Sequence, residues 1–213
     1  MTDMKTLLPS DVWTRASWDE YLKTLEDLLL NKGKSYYNKG HMRLEMSPVG
    51  HDHAADNSMV DFAVQLFCTL RGIPFKGLAN CSYRKAGERE SQPDLSYYVG
   101  EQAQVIPWGT TVVDLNRYPP PNLAIEIAVS SLLDDQGNKR SLYEDLGVAE
   151  YWVVDVQLAR ILAYTIANRG SKRIDHSQVL TGLSIAVLEE AMQRSRQQER
   201  SQVGAWLLAQ FQP

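Results

Sequence analysis

Leu123-Ala124-Ile125-Glu126-Ile127-Ala128-Val129 is the stretch on which the reading of this chain turns. It is apolar throughout except for one glutamate. Pro119-Pro120-Pro121 stiffens the approach to it, which suits the start of a strand and not its middle. We read Ala124–Val129 as an interior strand, with Leu123, Ile125, Ile127 and Val129 on one face and Ala124, Glu126, Ala128 and Ser130 on the other. An ionised glutamate buried in such a strand is costly unless it pairs with a cation or binds a metal.

Outward from that strand the pattern alternates. Asp134–Leu146 reads as a helix closed by Gly147, with Asp135, Lys139 and Tyr143 at i, i+4 and i+8 along one face. Tyr151–Val154 and Ile161–Ile166 read as strands, the aromatic pair Tyr151-Trp152 being core packing. Upstream, Asn80–Arg84, Leu95–Val99 and Thr111–Leu115 are strand-like, and Pro93-Asp94 leads into the second of them. From Asp52 to Leu70, Ala55, Met59, Phe62, Ala63, Leu66, Phe67 and Leu70 recur every three or four residues, a long amphipathic helix stopped by Gly72. Tyr36-Tyr37 and Met42–Met46 suggest a hairpin turning at Lys39-Gly40, followed by a loop at Ser47-Pro48. Ser17 and Glu20 form a capping-box pattern ahead of a helix over residues 17–31, in which Tyr21, Leu22, Leu25, Leu28 and Leu29 are apolar. Ser184 to Phe211 reads as two helices, the run Gln193–Arg200 being a solvated face. The order of elements predicts the α/β class, a mixed sheet flanked by helices with additional N- and C-terminal helices. We divide the chain into an N-terminal helical extension (1–34), a core (35–170) and C-terminal helices of the same domain (171–213).

Composition agrees with a globular domain: 213 residues, 44% hydrophobic and 23% charged. A net charge of -4 argues against a uniformly basic coat for nucleic acid, though not against a local basic groove. Cys68 and Cys81 have neither zinc-ligand spacing nor the density of a disulfide scaffold, so both are expected reduced and structural. His51 and His53 stand two apart and do not share a helix face, which argues against a separate zinc pair. No stretch has the ~20 apolar residues of a membrane span and no signal-peptide pattern opens the chain, so the expected location is cytoplasmic.

Asp94 and Glu126, on neighbouring strands, would offer a hard divalent ion two carboxylates and leave positions open, as Mg2+ prefers. The plainer readings are a turn-forming aspartate and a glutamate paired with an arginine. Lys139 is either a functional cation or a solvated residue paired with Asp135. Arg84 and Lys85 could clamp a phosphate or serve as edge-strand charges.

Taken together, Gly40 through Met46-Ser47-Pro48, His53, Pro93-Asp94, Glu126-Ile127-Ala128 with Ser130-Ser131, Asp134/Asp135, Lys139, Tyr143 and Gly147 through Asp155 resemble the Uma2 family of the PD-(D/E)xK, restriction-endonuclease-like superfamily. The likeness is close over about residues 35–165. It implies a restriction-endonuclease-like fold and a Mg2+-dependent endonuclease, with Mn2+ as a possible substitute, acting on double-stranded DNA as a homodimer. Asp94 and Glu126 would be metal ligands, the backbone carbonyl of Ile127 would complete the shell, and Lys139 would assist the attacking water. Glu45 would be a further carboxylate, and His53 would lie beside metal or phosphate. One departure is plain: the superfamily's lysine two residues after the glutamate is Ala128 here. The alternatives are a weak or inactive nuclease-fold module that binds DNA or regulates, and a hydrolase of non-nucleic phosphodiesters.

Overall fold

The computed structural model describes residues 10–31, 33–46 and 49–212. Ser47-Pro48 of the expected loop, and the side chains of Leu28 and Leu29, lie outside the described set. The α/β class holds, and the strands form two mixed six-stranded sheets. In the first sheet the order is β1 (Trp13–Arg15), β3 (His41–Glu45), β2 (Lys34–Asn38), β6 (Arg89–Ser91), β5 (Tyr83–Lys85) and β8 (Val113–Asp114). In the second it is β12 (Gly170–Arg173), β11 (Arg160–Ala167), β10 (Glu150–Asp155), β9 (Leu123–Ala128), β7 (Leu95–Val99) and β4 (Phe75–Ala79). The expected domain boundaries at 34/35 and 170/171 fall at the first residues of β2 and β12, so both would cut a strand.

β9 is buried at every position, as an interior strand must be. It runs parallel to β10 and antiparallel to β7. Its odd-numbered face, Leu123, Ile125 and Ile127, packs with Met59, Ala63 and Phe67 of α2 (His51–Leu70) and with α5 (Ile185–Ser195) and α6 (Arg200–Phe211). Its even-numbered face meets Tyr143, Val148, Tyr151 and Val153. That second cluster sits beneath α4 (Arg140–Leu146), which ends as expected at Gly147 in the left-handed conformation, φ 79°. Trp152 is fully buried, and its indole N–H donates to Glu150 at 2.6 Å.

The first sheet carries α1 (Trp18–Asn31), begun by the expected box: Ser17 donates its amide to Glu20 at 2.7 Å, and Glu20 donates its amide to the Ser17 hydroxyl at 3.3 Å. The hairpin β2–β3 turns at Lys39-Gly40, and Lys34 stands opposite Glu45 in its ladder. Between the sheets the chain passes through Gln92-Pro93-Asp94, leaving β6 and joining β7.

Three expectations need correction. Of the strand placed at Asn80–Arg84 only Tyr83 and Arg84 are strand, in β5; Asn80 takes a positive φ of 51° and turns the chain after β4. Thr111–Leu115 shortens to the two residues of β8. The helix expected over Asp134–Leu146 begins earlier, as the short α3 (Leu132–Asp134), passes through a π-helical turn at Asp135–Lys139 and continues as α4.

Candidate active site

Asp94 precedes β7 directly. The β7–β9 ladder pairs Leu95 with Ile125, and continuing that antiparallel register by one residue sets Asp94 opposite Glu126. Asp94 Oδ2 accepts the amide of Ile127 at 2.8 Å, which fixes the carboxylate against β9. Its other oxygen, Oδ1, meets the ammonium of Lys34 and lies 3.4 Å from Nε2 of His53, in the first turn of α2. Burial opposes the charge on Asp94. The hydrogen bond from His53 and the charge of Lys34 outweigh it and hold the carboxyl well below the usual range.

Glu126 has a different environment. It is 1% exposed, and burial pushes its carboxyl up to about 8, against the pull of Lys139. Tyr143 donates its hydroxyl to Oε1 at 2.7 Å. Tyr36 Oη lies 3.1 Å from Oε2 and 3.0 Å from the carbonyl of Gln92. One phenolic proton cannot serve both acceptors fully. With the carboxyl protonated at Oε2, Glu126 donates to Tyr36, Tyr36 donates to Gln92, and every group is satisfied.

Lys139 emerges from the π turn between the sheets. Its Nζ lies 2.7 Å from Glu45 Oε1, 2.9 Å from Asp135 Oδ1 and 3.7 Å from Glu126 Oε2, and 4.2 Å from the centroid of the Tyr36 ring. The π turn adds a residue to the local helical repeat, a distortion common at functional positions. Burial opposes this charge too, but Glu126, Asp135 and Glu45 together hold the ammonium above the ordinary lysine range. Glu45 is itself kept ionised, against burial, by Lys139 and Arg43. Arg43 then links Glu45 at 2.8 Å to Asp134 at 3.3 Å.

Lys34, Glu45, His53, Asp94, Ile127 and Lys139 line a cleft of about 530 Å³, while Glu126 is buried and does not line it. The structure thus brings Asp94, Glu126, Lys139, Glu45, His53 and Ile127 together. It does not bring Arg84 or Lys85 to them. Arg84 pairs with Glu90 at 3.1 Å and Lys85 with Glu88 at 3.1 Å, both away from the cleft lining. Ala128 keeps the face of Glu126 but is packed in the apolar cluster with Tyr143 and Tyr151, so it does not open into the cleft. Lys34 and the contact of Tyr36 with Glu126 escaped the sequence reading, whereas Tyr143 was already placed on one helix face with Asp135 and Lys139. Lys34 and Tyr36 alternate along β2, and that spacing was the available signal.

Among the described residues, no three histidine, cysteine or carboxylate side chains converge as a metal cage. What the site offers is two opposed carboxylates and the backbone of Ile127, hard oxygen donors with a cation already resting on Asp94 Oδ1. That set fits an ion such as Mg2+, which retains several waters, better than a closed zinc site. Cys68 and Cys81 are both free, and neither lines the cleft.

Fold and cluster define a class first: a mixed α/β protein with an acidic, lysine-bridged cleft between its two sheets. The chain belongs to the Uma2 family, described as "putative restriction endonuclease", whose model matches residues 18–199. A solved structure from Anabaena variabilis, described as a "putative nuclease belonging to DUF820", is similar in fold with a TM-score of 0.57 and 17% identity. That match covers 83% of this chain and 99% of the other. No curated protein matches.

Proposed function

We propose that this chain is a Mg2+-dependent endonuclease, able to use Mn2+, that hydrolyses phosphodiester bonds of double-stranded DNA as a cytoplasmic homodimer. The observation that carries the reading is the opposition of Asp94, which lines the cleft, and the buried Glu126 on paired strands, with Lys139 held against Glu126. Asp94, Glu126 and the carbonyl of Ile127 would hold the ion. Bound there, it would supply Lewis-acid polarisation of a phosphoryl oxygen and make water a stronger nucleophile at neutral pH. The remaining work belongs to the chain. Tyr36 and Tyr143 orient Glu126 and hold or release its proton, and Ile127 N–H fixes Asp94. Lys139 contributes a fixed positive charge behind Glu126, and this is how it would favour charge growing on the phosphorus centre. Glu45 holds Lys139 in place, which suits it to support the site and not to ligate the ion directly. No described helix is long and apolar enough to cross a membrane.

The test is conversion of supercoiled plasmid to nicked and linear forms with Mg2+, against the same reaction with chelator, for wild type, Asp94→Asn and Glu126→Gln. Cleavage by the wild type alone is expected; equal cleavage by all three would remove the assignment. A second reading, a nuclease fold that binds or regulates without cutting, is favoured by one observation. The cleft's two lysines are already matched by carboxylates, leaving little uncompensated positive charge for DNA. Plasmid retained by the protein but left intact with every divalent ion would select it.

A further inference from the structure

The two cleft lysines differ in what they are free to do. Lys139 has only 2% of its side chain exposed and is enclosed by three carboxylates and an aromatic ring. Reaching a ligand would mean leaving those charges uncompensated in a buried place. Lys34 has 18% of its side chain exposed, and Asp94 is its one carboxylate partner among the described residues. Glu45, opposite Lys34 in the β2–β3 ladder, is already taken by Lys139 and Arg43. Lys34 follows Gly33 at the start of β2, and both residues line the cleft.

Lys34 also occupies a particular atom. The amide of Ile127 holds Oδ2 of Asp94, so Oδ1 is the oxygen left to face a cation, and the Lys34 ammonium rests on it. A divalent ion and an ammonium repel each other strongly at such a separation in a poorly solvated cleft. When the ion takes Oδ1 the ammonium must leave, and its stem keeps it within the cleft, where an anionic substrate restores its pairing.

We propose that Lys34 is a further catalytic residue of this site: its ammonium guards Asp94 Oδ1 in the ion-free protein and passes to the scissile phosphate when the ion takes that oxygen. This rests on the phosphodiesterase reading above, and it makes Lys34 the cation that Ala128 does not supply. The consequence is a pair of opposite effects. Removing the ammonium strengthens ion binding and weakens phosphate binding, whereas a merely structural lysine would move both the same way.

The experiment compares wild type with Lys34→Met and Lys34→Arg. Calorimetry follows Mn2+ alone, then inorganic phosphate added to the Mn2+-loaded protein, and a nicking time course follows activity. Lys34→Met is expected to bind Mn2+ about tenfold tighter and phosphate about tenfold weaker. It should lower kcat for nicking by about 10²-fold, the loss typical of one charge-stabilising donor. Lys34→Arg should keep the phosphate affinity within about threefold, since a guanidinium also pairs with phosphate. Unchanged or weaker Mn2+ binding by Lys34→Met, or phosphate affinity equal to wild type, overturns the proposal. Opposite affinity shifts in a protein that nicks no plasmid leave the role of Lys34 standing and remove the endonuclease reading. A wild type that takes up no Mn2+ removes both.

Discussion

The buried carboxyl of Glu126 gives the sharpest quantitative expectation, because its protonation and ion binding exclude each other. It titrates at about 8, with burial the largest cause. At pH 7 the ion-free protein therefore holds this proton predominantly, and it gives it up as pH rises through that value. An ion that requires the carboxylate must therefore release a proton on binding at pH 7, and its apparent affinity should climb with pH up to about 8. Calorimetry in buffers of different ionisation enthalpy measures that release, and Glu126→Gln should abolish it. The same group sets a slope in stability. Its native value lies above its unfolded one, so its contribution is full below pH 4.5 and is lost as pH rises through 8, by about 5 kcal/mol at most. In chelator, wild type should lose thermal stability from pH 5 to 8 while Glu126→Gln stays flatter. Ion binding with no proton release at pH 7 would refute the reasoning, since it would mean that Glu126 is already ionised or is not a ligand.

Other outcomes follow from the same contacts. Lys139→Met leaves Glu45 and Asp135 without their shared cation and should cost about 3–5 kcal/mol by urea unfolding; a loss under 1 kcal/mol would contradict the enclosure described. Ala128→Lys places an ammonium among Tyr143, Tyr151 and Val153, so it should destabilise by roughly 3 kcal/mol or more and give no cleavage faster than wild type. Cleavage faster than wild type in that variant would show that position 128 does open to the cleft. Arg84→Ala should leave DNA affinity within about twofold, because its guanidinium is spent on Glu90 away from the cleft; a large drop in filter binding would put it back in the substrate site.

Elements whose apolar residues keep a regular period were legible in the sequence. β9 and α2 are the clearest cases, because each presents a face to the core that only one period can fill. β6 was hidden: Arg89 and Glu90 are buried there but paired, Arg89 with Asp145 at 3.0 Å and Glu90 with Arg84, so its sequence has no apolar alternation. β4 was missed for a related reason, since Gly77 lets the Tyr97 ring of β7 lie against the strand. β1 and β12 are short and sit at sheet edges, where one neighbour supplies the hydrogen bonds and a hydrophobic pattern is not required. In the site, Asp94 and Glu126 stood out because a carboxylate among strand residues is costly. Lys34 did not, because a lysine at the start of a strand looks like any solvated charge until its partner is located across the sheets.

The bridging position of Lys139 bears on how this chain can change over generations. The same ammonium ties Glu45 of the first sheet to Glu126 of the second and to the π turn beside them. A lineage that no longer needed the chemistry could not discard Lys139 without loosening the join between its layers, so purifying selection on foldability alone would keep it. Lys34 also reaches across the sheets, but it is more exposed and tied to one carboxylate, so it carries less of that structural duty. When relatives of this chain are compared, persistence of Lys139 therefore says that the protein still folds, and persistence of Lys34 says more about whether it still works.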